Sequence, residues 1–200
     1  MDIIWHGKSC FTIKGKNATV VVDPDKSIKT QLKADVVLSS IGEDLAEVKD
    51  AKKVFDWPGE YEVSEVPIIA FSAWTRSKGK EEEEGTQGEK TLIHRFEVDK
   101  VKICHLGGLG HKLTTEMTEE IGDIDILLVP AGENSNLKGK IEEVLDQIEP
   151  RIIIPMGDFK EEELKKAFNA QFEPIVDKFS ITAGSALPED KTRYVLLQKV

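Results

Sequence analysis

Little in this sequence could build a disulfide scaffold or a metal cage. Two cysteines and four histidines occur in 200 residues. Cys10 and Cys104 both lie in apolar, strand-like stretches, where a free thiol behaves as a small buried hydrophobe. Two so placed argue against a secreted disulfide framework and are too few for a cysteine zinc cage. No histidine lies between His6 and His94, and none of His6, His94, His105 and His111 pair at i, i+2 or i, i+4. No apolar run approaches the ~20 residues that span a bilayer. The N-terminus MDIIWHGKS lacks the basic-then-apolar pattern of a signal peptide. A cytoplasmic protein away from membranes is the expectation. Basic charge is short as well, with 27 Lys and Arg against 37 Asp and Glu, a formal net charge of -10. With no basic cluster to offset that charge, a phosphate backbone would be repelled, and nucleic acid is a poor partner.

What is present suits one folded unit. At 40% hydrophobic residues, residues 1–200 can bury a sizeable core as a single domain. Ile3 to Trp5, Cys10 to Ile13 and Val20 to Val22 read as short strands, the last two joined by the turn Lys14-Gly15-Lys16-Asn17. Ala34 to Leu38 is a further strand and Ala46 to Lys49 the start of a short helix. Residues 74–90, rich in glycine and charge, form a mobile surface loop. Strands return at Leu92 to Val98 and Val101 to His105, with His94 facing solvent. Thr114 and Thr115 open a helix carrying Met117 and Ile121. Asn136 caps a second helix with Leu137, Ile141, Val144, Leu145 and Ile148 on one face, and Asp158 with Glu161 forms a capping box for a third. A strand-rich first half and an alternating second half give an α/β or α+β fold with helix-covered sheets.

The centre of the chain is Val101 to His111, VKICHLGGLGH, an apolar strand end running into three glycines. Alone, a strand, glycine loop and helix are common. Around it stand IIWHGKSCFTI (Ile3 to Ile13), VVVDP (Val20 to Pro24), ADVVLSS (Ala34 to Ser40), PGEYEV (Pro58 to Val63), DIDILLVPAG (Asp123 to Gly132) and PRIIIPM (Pro150 to Met156). This ordered series resembles the metallo-β-lactamase-fold hydrolases, in particular the small single-domain branch similar to the ascorbate-6-phosphate lactonases. The resemblance implies a four-layer αββα sandwich with pseudo-symmetric halves and a site at one edge between the sheets.

Metal-dependent members of that family hold zinc, manganese or iron with a His-x-His-x-Asp-His loop, a third histidine, a bridging aspartate and a final histidine. Imidazoles and carboxylates suit divalent ions while leaving a position for an activated water. Matching ADVVLSS to the strand before the first motif puts Ile41 and Glu43 at the first two histidines, and Leu45 and Ala46 at the Asp and His. The third histidine falls near Ser72 or Ala73. The aspartate of Leu-Gly-Asp-Leu-Gly is replaced by Gly107, and the final histidine by Gly157. Lys8 stands where the family often has a histidine facing the site.

The expectation is therefore a protein of this fold that has lost metal and hydrolysis and binds a small molecule or a protein, with homo-oligomers open. Lys8 would supply positive charge by pairing with Asp23 or Glu43. The alternative is a zinc or manganese hydrolase of a lactone or phosphoester with a non-standard site drawn from His6, Asp23, His105 and Glu43. Without a metal, such a hydrolase would need His105 with Asp23, or Ser39 and Ser40 near His105, as its acid-base pair.

Overall fold

A computed structural model describes residues 1–42, 45–75, 88–132, 134–181, 187–188 and 191–200. Two sheets face each other. The first contains β1 (Asp2–Gly7), β2 (Cys10–Lys14), β3 (Thr19–Val22), β5 (Val36–Leu38), β7 (Lys53–Phe55) and β14 (Phe179–Ser180), ordered β14-β1-β2-β3-β5-β7. The second holds β8 (Gly59–Val63), β9 (Val66–Trp74), β10 (Lys90–Val98), β11 (Val101–His105), β12 (Ile126–Pro130), β13 (Ile152–Met156) and β15 (Arg193–Tyr194), ordered β15-β13-β12-β11-β10-β9-β8. In each sheet an antiparallel meander, β1-β2-β3 or β8-β9-β10-β11, passes into parallel strands, β3-β5-β7 or β11-β12-β13-β15. The halves repeat a topology that the residues themselves do not repeat.

Strand alternation sorts the core. Ile126 and Leu128 of β12 join Ile103 and Ile154 in the layer between the sheets, with Phe11, Val20 and Leu38 opposite. Leu127 and Val129 point the other way, into a second layer under the helices. Strands buried on both faces read as unbroken apolar runs, which is why ILLVP and IIIPM show no alternation. The three helices of the described residues, α1 (Thr115–Ile121), α2 (Ile141–Ile148) and α3 (Glu161–Phe168), cover the second sheet with Ile121, Val144, Leu145, Leu164 and Phe168. On the outer face of the first sheet, Cys10 and Val21 pack with Leu32, Ala34 and Val48. There a small parallel pair, β4 (Leu32–Lys33) and β6 (Val48–Lys49), lies over the sheet. None of the helices is long and apolar enough to cross a membrane.

Thr114 caps α1 as its residue type suggests, accepting from Met117 N at 3.2 Å. Other expectations are corrected. Ala46 to Lys49 does not start a helix; Val48 is drawn into the cluster around Cys10 as part of β6. The second helix begins at Ile141 rather than after Asn136, because Gly139 at φ +79° breaks the turn between Leu137 and Ile141. The third is capped at Lys160, whose N–H donates to Glu163 Oε2, two residues later than expected. Phe159 is held outside the helix by stacking on Trp5 with ring centroids 5.4 Å apart. At the ends of the segment 74–90, Trp74 closes β9, Lys90 opens β10 and Thr75 N donates to Glu89 O; residues 76–87, which hold most of the expected loop, lie outside the described residues.

Candidate active-site cleft

Where β11, β12 and β13 end, their loops meet the β1–β2 turn around a cleft of about 250 Å³. Lys8, Ser9, Gly108, Asn134, Gly157 and Asp158 line it. Beneath it, between the sheets, lies a buried polar layer. Asp23 follows β3 in a left-handed conformation, φ +45°, and is 5% exposed. One carboxylate oxygen accepts the Ser40 N–H and the other the Ser40 Oγ–H, both at 2.6 Å. Bonds from a buried carboxylate to neutral donors are among the stronger ones. They tie the end of β5 to the end of β3.

His105 sits beside this pair with both ring nitrogens engaged. Its Nδ1 accepts the Gly107 N–H at 3.1 Å, which places the ring proton on Nε2, the donor to Ser9 O at 3.0 Å. Burial holds its pKa below the usual range, opposed by the Asp23 charge. The ring is therefore neutral, and its 3.8 Å approach to Asp23 Oδ2 is no ion pair. His94 pairs across β10 and β11 with His105 and is fully buried; neither ring nitrogen makes a hydrogen bond of good geometry among the described residues, and the Phe55 backbone lies close enough to favour the charged ring. Burial drives its pKa down to about 4. The expectation that His94 faces solvent is thus corrected: it shares a strand face with Phe96, which belongs to the layer between the sheets. That alternation was the signal available in the sequence.

The residues singled out from the sequence separate into groups. Asp23 and His105 come together under the cleft, and Lys8 lies on its rim. His6 is apart, bonded through Nε2 to Thr12 Oγ1 at 2.8 Å. Lys8 pairs with Asp25 at 2.9 Å, not with Asp23, whose oxygens Ser40 already occupies. Glu43 and Asp44 lie outside the described residues. Ile41 projects outward at 66% exposure. Leu45 bridges Asp25, and Ala46 N donates to Pro24 O. Ser72 is half-buried on β9 opposite Leu92. Of the metal-free acid-base partners, His105 Nε2 stands 3.8 Å from Asp23 Oδ2 with His105 fully buried, Ser40 Oγ donates to Asp23, and Ser39 Oγ accepts from Gly42 N.

The glycine loop requires another correction. Set against Leu-Gly-Asp-Leu-Gly, the segment Leu106-Gly107-Gly108-Leu109-Gly110 places the aspartate at Gly108, not Gly107. Geometry separates the two. Gly107 has φ +55°, and a Cβ there would fall 2.4 Å from Leu92 O and 2.9 Å from Ser40 Cβ, so no side chain fits. Gly108 has ordinary φ, and its nearest neighbour would be Thr75 Cγ2 at 3.0 Å.

Gly157 resembles Gly107: φ is +113°, and a Cβ would meet Ala131 O at 2.7 Å. Gly157→Ala is expected to destabilise by about 2 kcal/mol through strain and displacement of that carbonyl, measured by urea unfolding. A cost near zero would mean the 131–132 turn yields freely. With hydrocarbon at Ile41 and backbone at Gly108 and Gly157, the described residues at those positions supply no side-chain donor to the zinc or manganese shell that the fold implies. Among the described residues no three His, Cys, Asp or Glu side chains converge on a metal position.

Two facing sheets, helices on the second, and a cleft at the ends of β11 to β13 define a metallo-β-lactamase fold. The family model for the beta-lactamase superfamily domain matches residues 2–157, and the chain belongs to that superfamily. A Thermotoga maritima protein of the metallo-beta-lactamase superfamily, described as a candidate Zn-dependent hydrolase, is 30% identical; the match covers 98% of both chains with a TM-score of 0.77. A UPF0173 protein of Pyrococcus abyssi is 25% identical over 78% of this chain and 82% of its own length. The metallo hydrolase Igni18 of Ignicoccus hospitalis shares the fold at 15% identity, with a TM-score of 0.62 over 90% of this chain and 99% of its own.

Proposed function

We propose that this chain is a single-domain member of the superfamily that holds no catalytic metal, performs no metal-dependent hydrolysis, and uses the cleft to bind a small molecule or a protein segment. The observation that carries the reading is Gly157, where the direction a ligating side chain would take is filled by the Ala131 carbonyl. A catalytic zinc site takes about three protein ligands plus water, and hydrocarbon at Ile41 with backbone at Gly108 removes others. The buried polar layer supports the same reading, because Asp23 is bonded through both oxygens to Ser40 and His105 through both ring nitrogens to Ser9 and Gly107.

One observation favours a second reading, a zinc or manganese hydrolase of a lactone or phosphoester: the 30% identity to the Thermotoga maritima protein. Elemental analysis by mass spectrometry separates the two, on protein purified without chelators or a histidine tag and again after incubation with zinc and manganese. Metal well below one equivalent in both preparations is the expected result. A full equivalent that survives desalting would overturn the metal-free reading.

A further inference from the structure

We propose that the free edge of β8 receives an extended segment of a partner protein as an added strand, and that this segment carries basic side chains on either side of an apolar one. The edge shares no lining residue with the cleft, so the inference does not depend on what the cleft holds.

The two sheets end in four edge strands, β14 and β7 in the first and β15 and β8 in the second. An open edge invites pairing with another chain, and proteins blunt it by shortness, inward charge, proline or a bulge. Three of these edges are blunted. β14 and β15 have two residues each and β7 has three. Alternation also puts the exposed Lys53 on the same face of β7 as Phe55, toward the other sheet. β8, in contrast, runs for five residues without a proline and pairs with β9 in unbroken register.

That register identifies which backbone groups are free. Val63 and Val66 close a two-residue turn, with Ser64 at φ +51° and Glu65 at φ +61°. The closing pair of such a hairpin exchanges both backbone hydrogen bonds. Two steps back along the ladder, Tyr61 with Ile68 and then Gly59 with Ala70 are pairs of the same kind. Glu60 and Glu62 alternate with them, so their N–H and C=O groups point away from β9. No strand lies on that side, and no backbone hydrogen bond from elsewhere in the described residues reaches those groups. An added strand satisfies all four through two of its residues, spaced two apart. The edge is also fixed in advance, because Tyr61 packs on Phe55 with ring centroids 4.5 Å apart and its hydroxyl donates to the Trp57 carbonyl at 3.1 Å. A preorganised edge spares the cost of ordering it on binding.

Side chains set the chemistry of the partner. Glu60 and Glu62 are exposed, and neither carboxylate has an ion pair or hydrogen bond with the described residues. They border an open groove of about 410 Å³ on the outer face of the second sheet, together with Pro67, Ile69, Arg95, Glu97 and Lys102. Glu97 and Lys102 stand directly opposite one another and offset each other's charge. Arg95 lies two strands inward from Glu60, beyond Ile69. The charge at the edge itself is therefore that of the two glutamates. Opposite charges facing each other across strands are favourable and like charges are not, so the partner residues opposite Glu60 and Glu62 are basic. The same rule disfavours a second copy, since pairing β8 with β8 sets glutamate against glutamate. The partner residue between the two basic ones falls opposite Tyr61, on the face that Tyr61 and Val63 turn toward the core, and there an apolar side chain fits.

The test uses the full, ¹⁵N-labelled chain and three synthetic peptides. They are acetyl-Thr-Lys-Val-Lys-Thr-amide, the same peptide with glutamate for both lysines, and the lysine peptide N-methylated at both lysines, which keeps its charge but loses the donors facing β8. The Glu60 and Glu62 amides should exchange quickly in the free protein and be slowed at least about fivefold by saturating lysine peptide. The lysine peptide should bind at least about tenfold more tightly than either of the others. Glu60→Gln with Glu62→Gln should weaken it about fivefold, and Glu60→Lys with Glu62→Lys should reverse the preference toward the glutamate peptide. Failure of the lysine peptide to protect Glu60 and Glu62 in folded protein, or equal binding of the glutamate peptide, overturns the proposal. Unchanged affinity after N-methylation also overturns it, by showing surface attraction without strand pairing. Protection of the same amides that grows with protein concentration in the absence of peptide would make a second copy the occupant and overturn the basic partner.

Discussion

Asp23→Ala should remove about 4 kcal/mol of stability and lower the thermal midpoint by roughly 10 °C, given that 1 kcal/mol shifts a domain of this size by about 2–4 °C. The substitution strands two donors at once. Ser40 N and Ser40 Oγ both end on the Asp23 carboxylate at 2.6 Å, and Ser40 is 3% exposed, so water does not replace what is lost. A buried donor left unpaired costs about 1–3 kcal/mol. Alanine would also inherit the left-handed conformation at φ +45°, which an Asp tolerates better. Asp23→Asn, which can still accept from Ser40 N, should lose less than half as much. Unfolding in urea, followed by circular dichroism, measures both, and Ser40→Ala completes a double-mutant cycle with a coupling of about 2 kcal/mol. Additive effects, or an alanine variant melting within about 2 °C of the parent, would show that Asp23 does not anchor the end of β5.

The second large effect is on pH dependence. The His94 pKa is about 4 in the folded chain, lowered from 6.5 by burial. The unfolded chain takes up its proton first as pH falls. The stability linked to this group is therefore complete above about pH 6.5 and is lost progressively toward pH 4. The shift corresponds to on the order of 3 kcal/mol across that window. His105 and His6, also depressed by burial, add to the same slope. His94→Leu removes the His94 part of it. At pH 7.5 the variant should be about as stable as the parent, because among the described residues neither ring nitrogen makes a hydrogen bond of good geometry that would be lost. At pH 5 it should exceed the parent by about 2 kcal/mol. Parallel stability profiles for the two proteins between pH 7.5 and 4.5 would mean that His94 is solvated or paired in the folded state.

Much of the fold is legible in the chain because it depends on local rules. ILLVP and IIIPM announce strands buried on both faces, Lys14-Gly15-Lys16-Asn17 announces a hairpin, and Thr114 announces a helix start. Misreadings arose where a distant contact overrides local preference. Val48 would suit either a strand or a helix until the cluster around Cys10 recruits it into β6. Asp158 is a good cap by type, yet Trp5, from the other end of the chain, holds Phe159 out of the helix that follows.

The cleft divides in the same way. Residue identity alone determines that Ile41, Gly108 and Gly157 offer no side-chain donor, since no tertiary arrangement gives a hydrocarbon or a hydrogen atom a lone pair. It also determines the negative charge and the lack of paired histidines. Only the tertiary structure decided which polar residues meet. It joined Asp23 to Ser40 rather than to Lys8 and left His6 on Thr12. It also buried His94 opposite His105, because strand pairing brings together residues far apart in sequence while burial allows each donor few partners. The same packing distinguishes Gly107, closed to any side chain by Leu92 O, from Gly108, which is not. That distinction depends on where the backbone of β10 lies, and the glycines carry no trace of it.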